Sequence, residues 1–168
     1  MASNKGFIMA ESSDLEKARD TAYRFLSYRA RSVMEVEKKL KEKGFDNKTI
    51  SLTLERLKDL KLLDDADFAE RFTRELAEVR GYGRYCIEKK LKEKGIACET
   101  IQHLIQAFTS QENEVERAKI LALKKIKKPL SDRKEKERIG RYLQGKGYSW
   151  EIIIETIKVL DDWERDKK

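Results

Sequence analysis

The stretch EKKLKEKG occurs twice in the chain, at Glu37–Gly44 and at Glu88–Gly95, fifty-one residues apart. An identical octamer at that period means that one supersecondary unit is built more than once, with neighbours sharing the burial of apolar surface. A further shift of fifty-two residues lands on GRYLQGKGYSW, where Lys146 and Gly147 take the places of Lys94-Gly95 and Lys43-Gly44. The apolar positions then align three deep. Val36, Ile87 and Ile139 correspond, as do Leu40, Leu91 and Leu143, and the residue after the glycine is Phe45, Ile96 or Tyr148. Beyond it Ile50, Leu54 and Leu57 match Ile101, Ile105 and Phe108, and then Ile153, Ile157 and Leu160.

These spacings are helical. Val36 and Leu40 lie at i and i+4, and Ile50, Leu54 and Leu57 at i, i+4 and i+7, so each set lines one helix face. Gly44, Gly95 and Gly147 fall where a helix C-terminus takes a left-handed residue, and the lysines before them suit the negative dipole end. SVME (Ser32–Glu35) reads as a capping box. Asp46 and Ser149 are good N-caps, whereas Ala97 is not. A leading helix precedes each pair: Leu15 to Ala30, then one carrying Phe68, Phe72 and Leu76, then Asn113 to Lys127, stopped by Pro129.

The expected fold class is therefore all-α: three tandem three-helix bundle repeats forming an elongated, curved array. The predicted segments are a disordered lead-in over 1–14, repeats over 15–62, 63–111 and 112–163, and a charged tail over 164–168. With 39% hydrophobic residues in regular stripes the chain can offset its ordering entropy. No apolar run is long enough for a membrane span, and two cysteines, Cys86 and Cys98, suit a reduced cytoplasmic setting.

The formal net charge of +7 is concentrated. Arg117 to Arg138 holds ten Lys/Arg against three acids, Asp132, Glu135 and Glu137, which accounts for the whole excess. A local positive field of this kind attracts phosphate backbones or acidic protein surfaces. Catalytic signatures are missing. There is no G-x-x-x-x-G-K-[ST], H-E-x-x-H or G-x-S-x-G, and His103 is the single histidine. No enzymatic activity, metal site or cofactor is expected, and such a chain works by binding.

With these units in view, the sequence resembles the RecX family of regulators of the RecA recombinase. AYRFLSYRARSVMEVEKKLKEKGF is similar to the family's first unit, LKLLDDADFAERF to its L-[LI]-D-D-x-x-[FY]-A joint, and RGYGRYCIEKKLKEKGI to the R-G-x-G start of its second middle helix. The resemblance implies a monomer that binds RecA and its filament on single-stranded DNA. It would limit filament extension or promote disassembly, lowering ATP hydrolysis, strand exchange and coprotease activity. The alternative is an autonomous DNA-binding protein, on single- or double-stranded DNA, acting through the basic segment.

Matched to the family's motifs, Asp64, Asp65 and Phe68 read as a cap and core aromatic of the joint. Gly81 and Gly83 read as a tight helix connection, beside the turn glycines Gly44, Gly95 and Gly147. The candidate contacts with RecA or DNA rest on charge: Lys124, Lys125, Lys127, Lys128, Arg133 and Lys134, then Arg80, Arg84, Lys89 and Lys90.

Overall fold

A computed structural model describes the backbone over residues 3–166 and side chains from residue 13 onward. Among the described residues there are nine α-helices and no strand: α1 (Ser3–Ser27), α2 (Val33–Glu42), α3 (Asn47–Asp59), α4 (Asp65–Arg74), α5 (Arg84–Glu93), α6 (Cys98–Phe108), α7 (Gln111–Leu123), α8 (Arg133–Gly145) and α9 (Trp150–Asp166). The chain divides into two compact units, one of residues 1–68 with 94–96, the other of 69–93 with 97–168.

In the first unit, Ala18 and Ala22 of α1, Val36 and Leu40 of α2, and Ile50, Leu54 and Leu57 of α3 form a core with Leu63. Phe25, Leu26, Val33 and Phe45 pack against its edge. Leu40 and Leu57 are fully buried, each contributing about 1.5–3 kcal/mol by area. Helix α2 starts with the expected capping box: Ser32 Oγ accepts from Glu35 N, and Glu35 Oε2 accepts from Ser32 N. It ends as Gly44, at φ 84°, lets Phe45 N donate to Leu40 O and Gly44 N to Lys41 O. Those two bonds close the last turn and satisfy carbonyls that would otherwise be orphaned. Asp46 caps α3 through Thr49 N at 2.9 Å.

The second unit holds two further helix trios. In one, Leu76, Ala77, Ile87, Leu91, Ile101, Leu104 and Ile105 are buried. In the other, Val115, Ala118, Ala122, Leu130, Ile139, Leu143, Tyr148, Ile152, Ile153 and Leu160 form one core. Helix α8 closes as α2 does, with Tyr148 N bonded to Leu143 O and Gly147 N to Gln144 O. Ala97, before α6, makes no side-chain cap, as its methyl dictates.

Four boundaries differ from the sequence reading. Helix α1 runs back to Ser3 through the stretch read as a disordered lead-in, and it ends at Ser27 instead of Ala30. Met, Ala and Glu there are good helix formers, and extending an established helix is far cheaper than nucleating one. Residues 1–2 and 167–168 lie outside the described chain, and α9 continues to Asp166 through most of the expected tail. Helix α7 stops at Leu123, well short of Pro129. The N–H groups of Lys127 and Lys128, which a longer helix would have turned inward, are taken by Glu135.

A joint between consecutive repeats is built twice on one plan. Asp65, in the first turn of α4, accepts from Val33 N at the start of α2, at 2.9 Å. Glu114, in the first turn of α7, likewise accepts from Arg84 N at the start of α5, at 2.9 Å. Each carboxylate thus supplies a cap for a helix one repeat earlier. The Lys-Gly turns add the second element. Lys94 Nζ meets Glu35 Oε1 at 2.7 Å, and a Cβ on Gly95 would lie 2.9 Å from Met34 Cβ. In the second unit Gly83 N donates to Lys146 O (3.0 Å), Tyr85 N to Gly147 O (3.1 Å) and Tyr148 Oη to Gly81 O (3.3 Å). A Cβ on Gly83 would stand 2.6 Å from Gly147 O, so the R-G-Y-G glycine serves a close backbone approach. Asp64 caps α4 through Ala66 N and Asp67 N, and Phe68 is buried.

One feature has no counterpart in the sequence reading. After α4 the chain makes a π-helical turn over Glu75–Val79, closed by Arg80 N donating to Glu75 O. Tyr82 N then donates to Leu76 O across Gly81, at φ 62°. That widened turn delivers the R-G-Y-G segment to the joint.

The glycines separate two costs. At Gly44 (φ 84°) a Cβ would meet nothing within 4 Å, so Gly44→Ala carries only the left-handed penalty, about 1–2 kcal/mol. At Gly147 (φ 88°) a Cβ would lie 2.5 Å from Cys86 N, so Gly147→Ala also drives the turn off α5 and strains two backbone bonds, about 1 kcal/mol each. Urea denaturation should rank Gly147→Ala below Gly44→Ala by roughly 2 kcal/mol.

Candidate functional site

The basic excess sits on the connection between α7 and α8. Lys124 caps the end of α7, the chain turns over 124–132, and Asp132 opens α8 by accepting from Lys134 N at 2.8 Å. This connection is fastened from within. Glu135 Oε1 accepts from Lys127 N (2.7 Å), Lys128 N (3.3 Å) and the Arg138 guanidinium (2.6 Å), while its Oε2 accepts from Arg138 Nε (2.9 Å). Arg138 also donates to Lys125 O. Further on, Leu130 is fully buried and its N–H donates to Glu164 of α9 at 2.8 Å.

The Arg138 bond, with the two backbone N–H groups, holds the Glu135 carboxyl at about 2, well below the usual carboxylate range. The carboxylate is acceptor-only and has four donors to meet, so it remains ionised and keeps the backbone of 125–128 in place.

With the backbone pinned, the side chains point outward. Lys124, Lys125, Lys127, Lys128, Arg133 and Lys134 are all exposed. Lys125 lies over the Tyr142 ring at 5.6 Å, and Arg133 pairs with Glu137 at 3.0 Å. No carboxylate engages the ammonium groups of Lys124, Lys127, Lys128 or Lys134 among the described residues. Other charges of the segment are spent internally: Arg138 on Glu135, Lys136 on Asp161 at 2.8 Å, and Lys119 on Glu116 at 2.9 Å.

The remaining candidates form a separate group around the second joint. Arg80 grips Glu75 of the π-helical turn with Nε and a terminal nitrogen (3.3 and 3.1 Å), and so anchors that turn. Arg84 leans over Tyr85 at 5.8 Å, Lys90 lies 5.2 Å from the Tyr82 centroid beside Lys146 at 4.8 Å, and Lys89 is exposed. Glu135, Arg138 and Glu164, which shape the basic connection, went unnoticed as site residues in the sequence. The Glu135–Arg138 pair at i, i+3 was the available signal.

Cys98 is exposed and Cys86 half-buried, both as free thiols. No cluster of His, Cys, Asp and Glu able to hold a metal ion occurs among the described residues, and no described helix is long and apolar enough to cross a membrane.

Comparison with known proteins bears on this arrangement. Residues 18–57, 64–104 and 112–157 match, in order, the first, second and third three-helix domains of RecX. The chain belongs to the RecX family. It is 35% identical over 144 residues to the regulatory protein RecX of Chlorobaculum tepidum, covering 85% of this chain and 88% of that one. It is 32% identical to the Bacillus subtilis regulatory protein RecX, covering 92% of this chain and 60% of the longer relative. The crystal structure of RecX from Lactobacillus salivarius superposes with a TM-score of 0.80 at 30% identity, over 89% of this chain and 98% of that one. Membership in this family accords with the three helical trios.

The clasp predicts a specific titration. A carboxyl depressed from 4.5 to about 2 stabilises the fold fully above its ordinary value, and that contribution is lost as the pH falls from 4.5 toward about 2. The amide proton shifts of Lys127 and Lys128 should therefore titrate together, with a midpoint near 2 by NMR. Glu135→Gln should erase that step while leaving the helices intact.

Proposed function

We propose that this chain binds the RecA recombinase, chiefly as its filament on single-stranded DNA, and restrains the filament. Restraint means limiting extension or promoting disassembly, with lower ATP hydrolysis, strand exchange and coprotease activity. The observation that carries the reading is the α7–α8 connection, where Glu135, Arg138 and Glu164 hold the backbone while four ammonium groups stand without carboxylate partners among the described residues. A preset cationic surface loses little conformational freedom on meeting an acidic or phosphate-bearing partner. Three modules in series can also touch successive protomers of a polymer, so each weak contact raises the effective concentration of the next. The relatives' shared name, regulatory protein RecX, supports the same direction. The role is binding, without catalysis, by a monomer in the cytoplasm.

A second reading, favoured by those same unpaired lysines, is direct binding of nucleic-acid phosphates without RecA. Its mark is affinity for DNA alone that falls steeply with salt as counterions are released.

Two measurements separate the readings. Titrated into RecA hydrolysing ATP on single-stranded DNA, the protein should suppress hydrolysis at substoichiometric ratios, more strongly when added before filaments form. Suppression only at DNA saturation would transfer the reading to phosphate competition. The quadruple reversal Lys124→Glu, Lys125→Glu, Lys127→Glu and Lys128→Glu should weaken pull-down on RecA–DNA filaments by about tenfold or more with unchanged circular dichroism, since the clasp uses only backbone groups of these residues. Undiminished pull-down would remove this surface from the interface.

A further inference from the structure

The groove between the middle and last helices is present in both the second and the third repeat. In the second it is a cleft of about 600 Å³ between α5 and α6, lined by Glu88, Lys92, Cys98, Gln102 and Ile105. In the third it measures about 810 Å³ between α8 and α9, where the corresponding positions are Gly140, Gln144, Trp150, Ile154 and Ile157. The register is the repeat's own, fifty-two residues. At four of these five positions the second repeat is polar or small. Its Glu88 and Lys92 pair at 2.6 Å across one turn, as Glu37 and Lys41 do in the first repeat. The third repeat replaces that ion pair with Gly140 and Gln144, opening the groove floor onto Ile153 and Ile157. It also places Trp150, 63% exposed, and Ile154, 51% exposed, along the rim.

Folding does not require this exchange, since α5 and α6 pack as a pair with polar residues in the same places. A contiguous exposed apolar strip of this kind marks an interaction site. The groove that holds this strip runs about 17 Å along α9 from Trp150 to Asp161, three turns of a helix. Its charges define the partner. The acids on the rim are spent within the chain: Asp161 on Lys136 (2.8 Å) and Arg165 (2.6 Å), Glu137 on Arg133 (3.0 Å), and Asp162 on Arg165 (3.7 Å). Arg141 on α8 and Lys158 on α9 have no carboxylate partner among the described residues, and they line the same groove. We propose that the α8–α9 groove of the third repeat is a docking site for an amphipathic helix of a partner protein, its apolar stripe seated over Gly140 against Trp150, Ile154 and Ile157 and its flanks acidic. Two unpaired cations beside an apolar floor are too few to hold a nucleic-acid backbone. A second copy meeting groove to groove about a two-fold axis would set like cations against one another. This site is separate from the basic connection and does not depend on RecA.

The probe is a helical peptide of roughly 15 residues with leucines at i, i+4, i+7 and i+11 and glutamates on both flanks, beside a twin with lysines there. In a Trp163→Phe background, Trp150 fluorescence reports binding. The acidic peptide should bind saturably with a blue shift, about tenfold tighter than its lysine twin. Gly140→Glu with Ile154→Gln, which installs the second repeat's residues, should abolish binding with circular dichroism unchanged. A Cβ on Gly140 has ordinary room, 3.7 Å from its nearest neighbour, and the second repeat carries Glu88 and Gln102 at these positions of the same helix pair, so the variant is expected to keep its fold. Arg141→Glu with Lys158→Glu should reverse the preference between the two peptides. The proposal is overturned if neither peptide binds up to millimolar concentration, if both bind alike, or if the groove variant binds as well as the parent. Sedimentation showing a dimer that the groove variant dissociates would also overturn it, by identifying a second copy as the occupant.

Discussion

The joint within the second unit rests on a backbone-to-backbone approach that only glycine permits. In the second unit Gly83 and Gly147 stand so close that a methyl on either would overlap the other strand of chain, and two N–H donors cross the gap to Lys146 O and Gly147 O. The positive φ of Gly147 is what turns its carbonyl and the Lys146 carbonyl toward α5 after closing α8. One turn therefore does two things: it satisfies the end of its own helix and receives the start of another. The recurrence of Lys-Gly in the octamer follows from that double duty. Lysine fits the negative helix end and reaches back across the joint, to Glu35 from Lys94 and to Arg80 O from Lys146.

The carboxylates at the joints stand in opposite electrostatic positions to the one that clasps the basic connection. Burial pushes Asp65 and Glu114 up, and the N–H groups of Val33 and Arg84 only partly offset it. Charged, both work against their surroundings, and that cost eases as the pH falls toward their raised values. Glu135 is held down by Arg138 and two backbone donors. Glu35 feels burial most, yet Lys94, Ser32 N and Arg29 together leave it below its ordinary value. Mild acid therefore relaxes the helix caps at the joints first, and only stronger acid, below the ordinary carboxylate range, loosens the basic connection and the Lys94–Glu35 contact. The molecule has no single acid-labile point.

Much of this was legible in the residue pattern because it is local. The capping box at Ser32 and Glu35, the Asp46 cap, the missing cap at Ala97 and the left-handed glycines all depend on neighbours within one turn of helix. What escaped is long-range. Asp65 read as part of the cap of its own helix but serves Val33, 32 residues earlier. Gly83 read as part of a tight local helix connection but marks an approach to a turn more than sixty residues on. The end of α7 was misplaced because Pro129 was the visible stop, whereas the deciding competitor, the Glu135 carboxylate, lies beyond it in sequence. The charge count overstated the free charge of the basic segment, since Arg133, Lys136 and Arg138 are consumed by carboxylates nearby.

Departures from the repeat carry information that the repeat itself does not. Val36, Ile87 and Ile139, which match three deep, are fully buried, as are Leu40, Leu91 and Leu143, and packing alone accounts for them. Where one copy abandons a residue pair that the others keep, packing is the weaker explanation, because the other copies show that the helices associate without the change. The Glu–Lys pair of the octamer, lost at Gly140 and Gln144, is such a departure, and so is the crowding of unpaired lysines between α7 and α8. Both fall in the third repeat, which also holds the only proline. Three copies of one module provide an internal control for one another. By that control, the third repeat combines the shared helical scaffold with surfaces that the scaffold does not need.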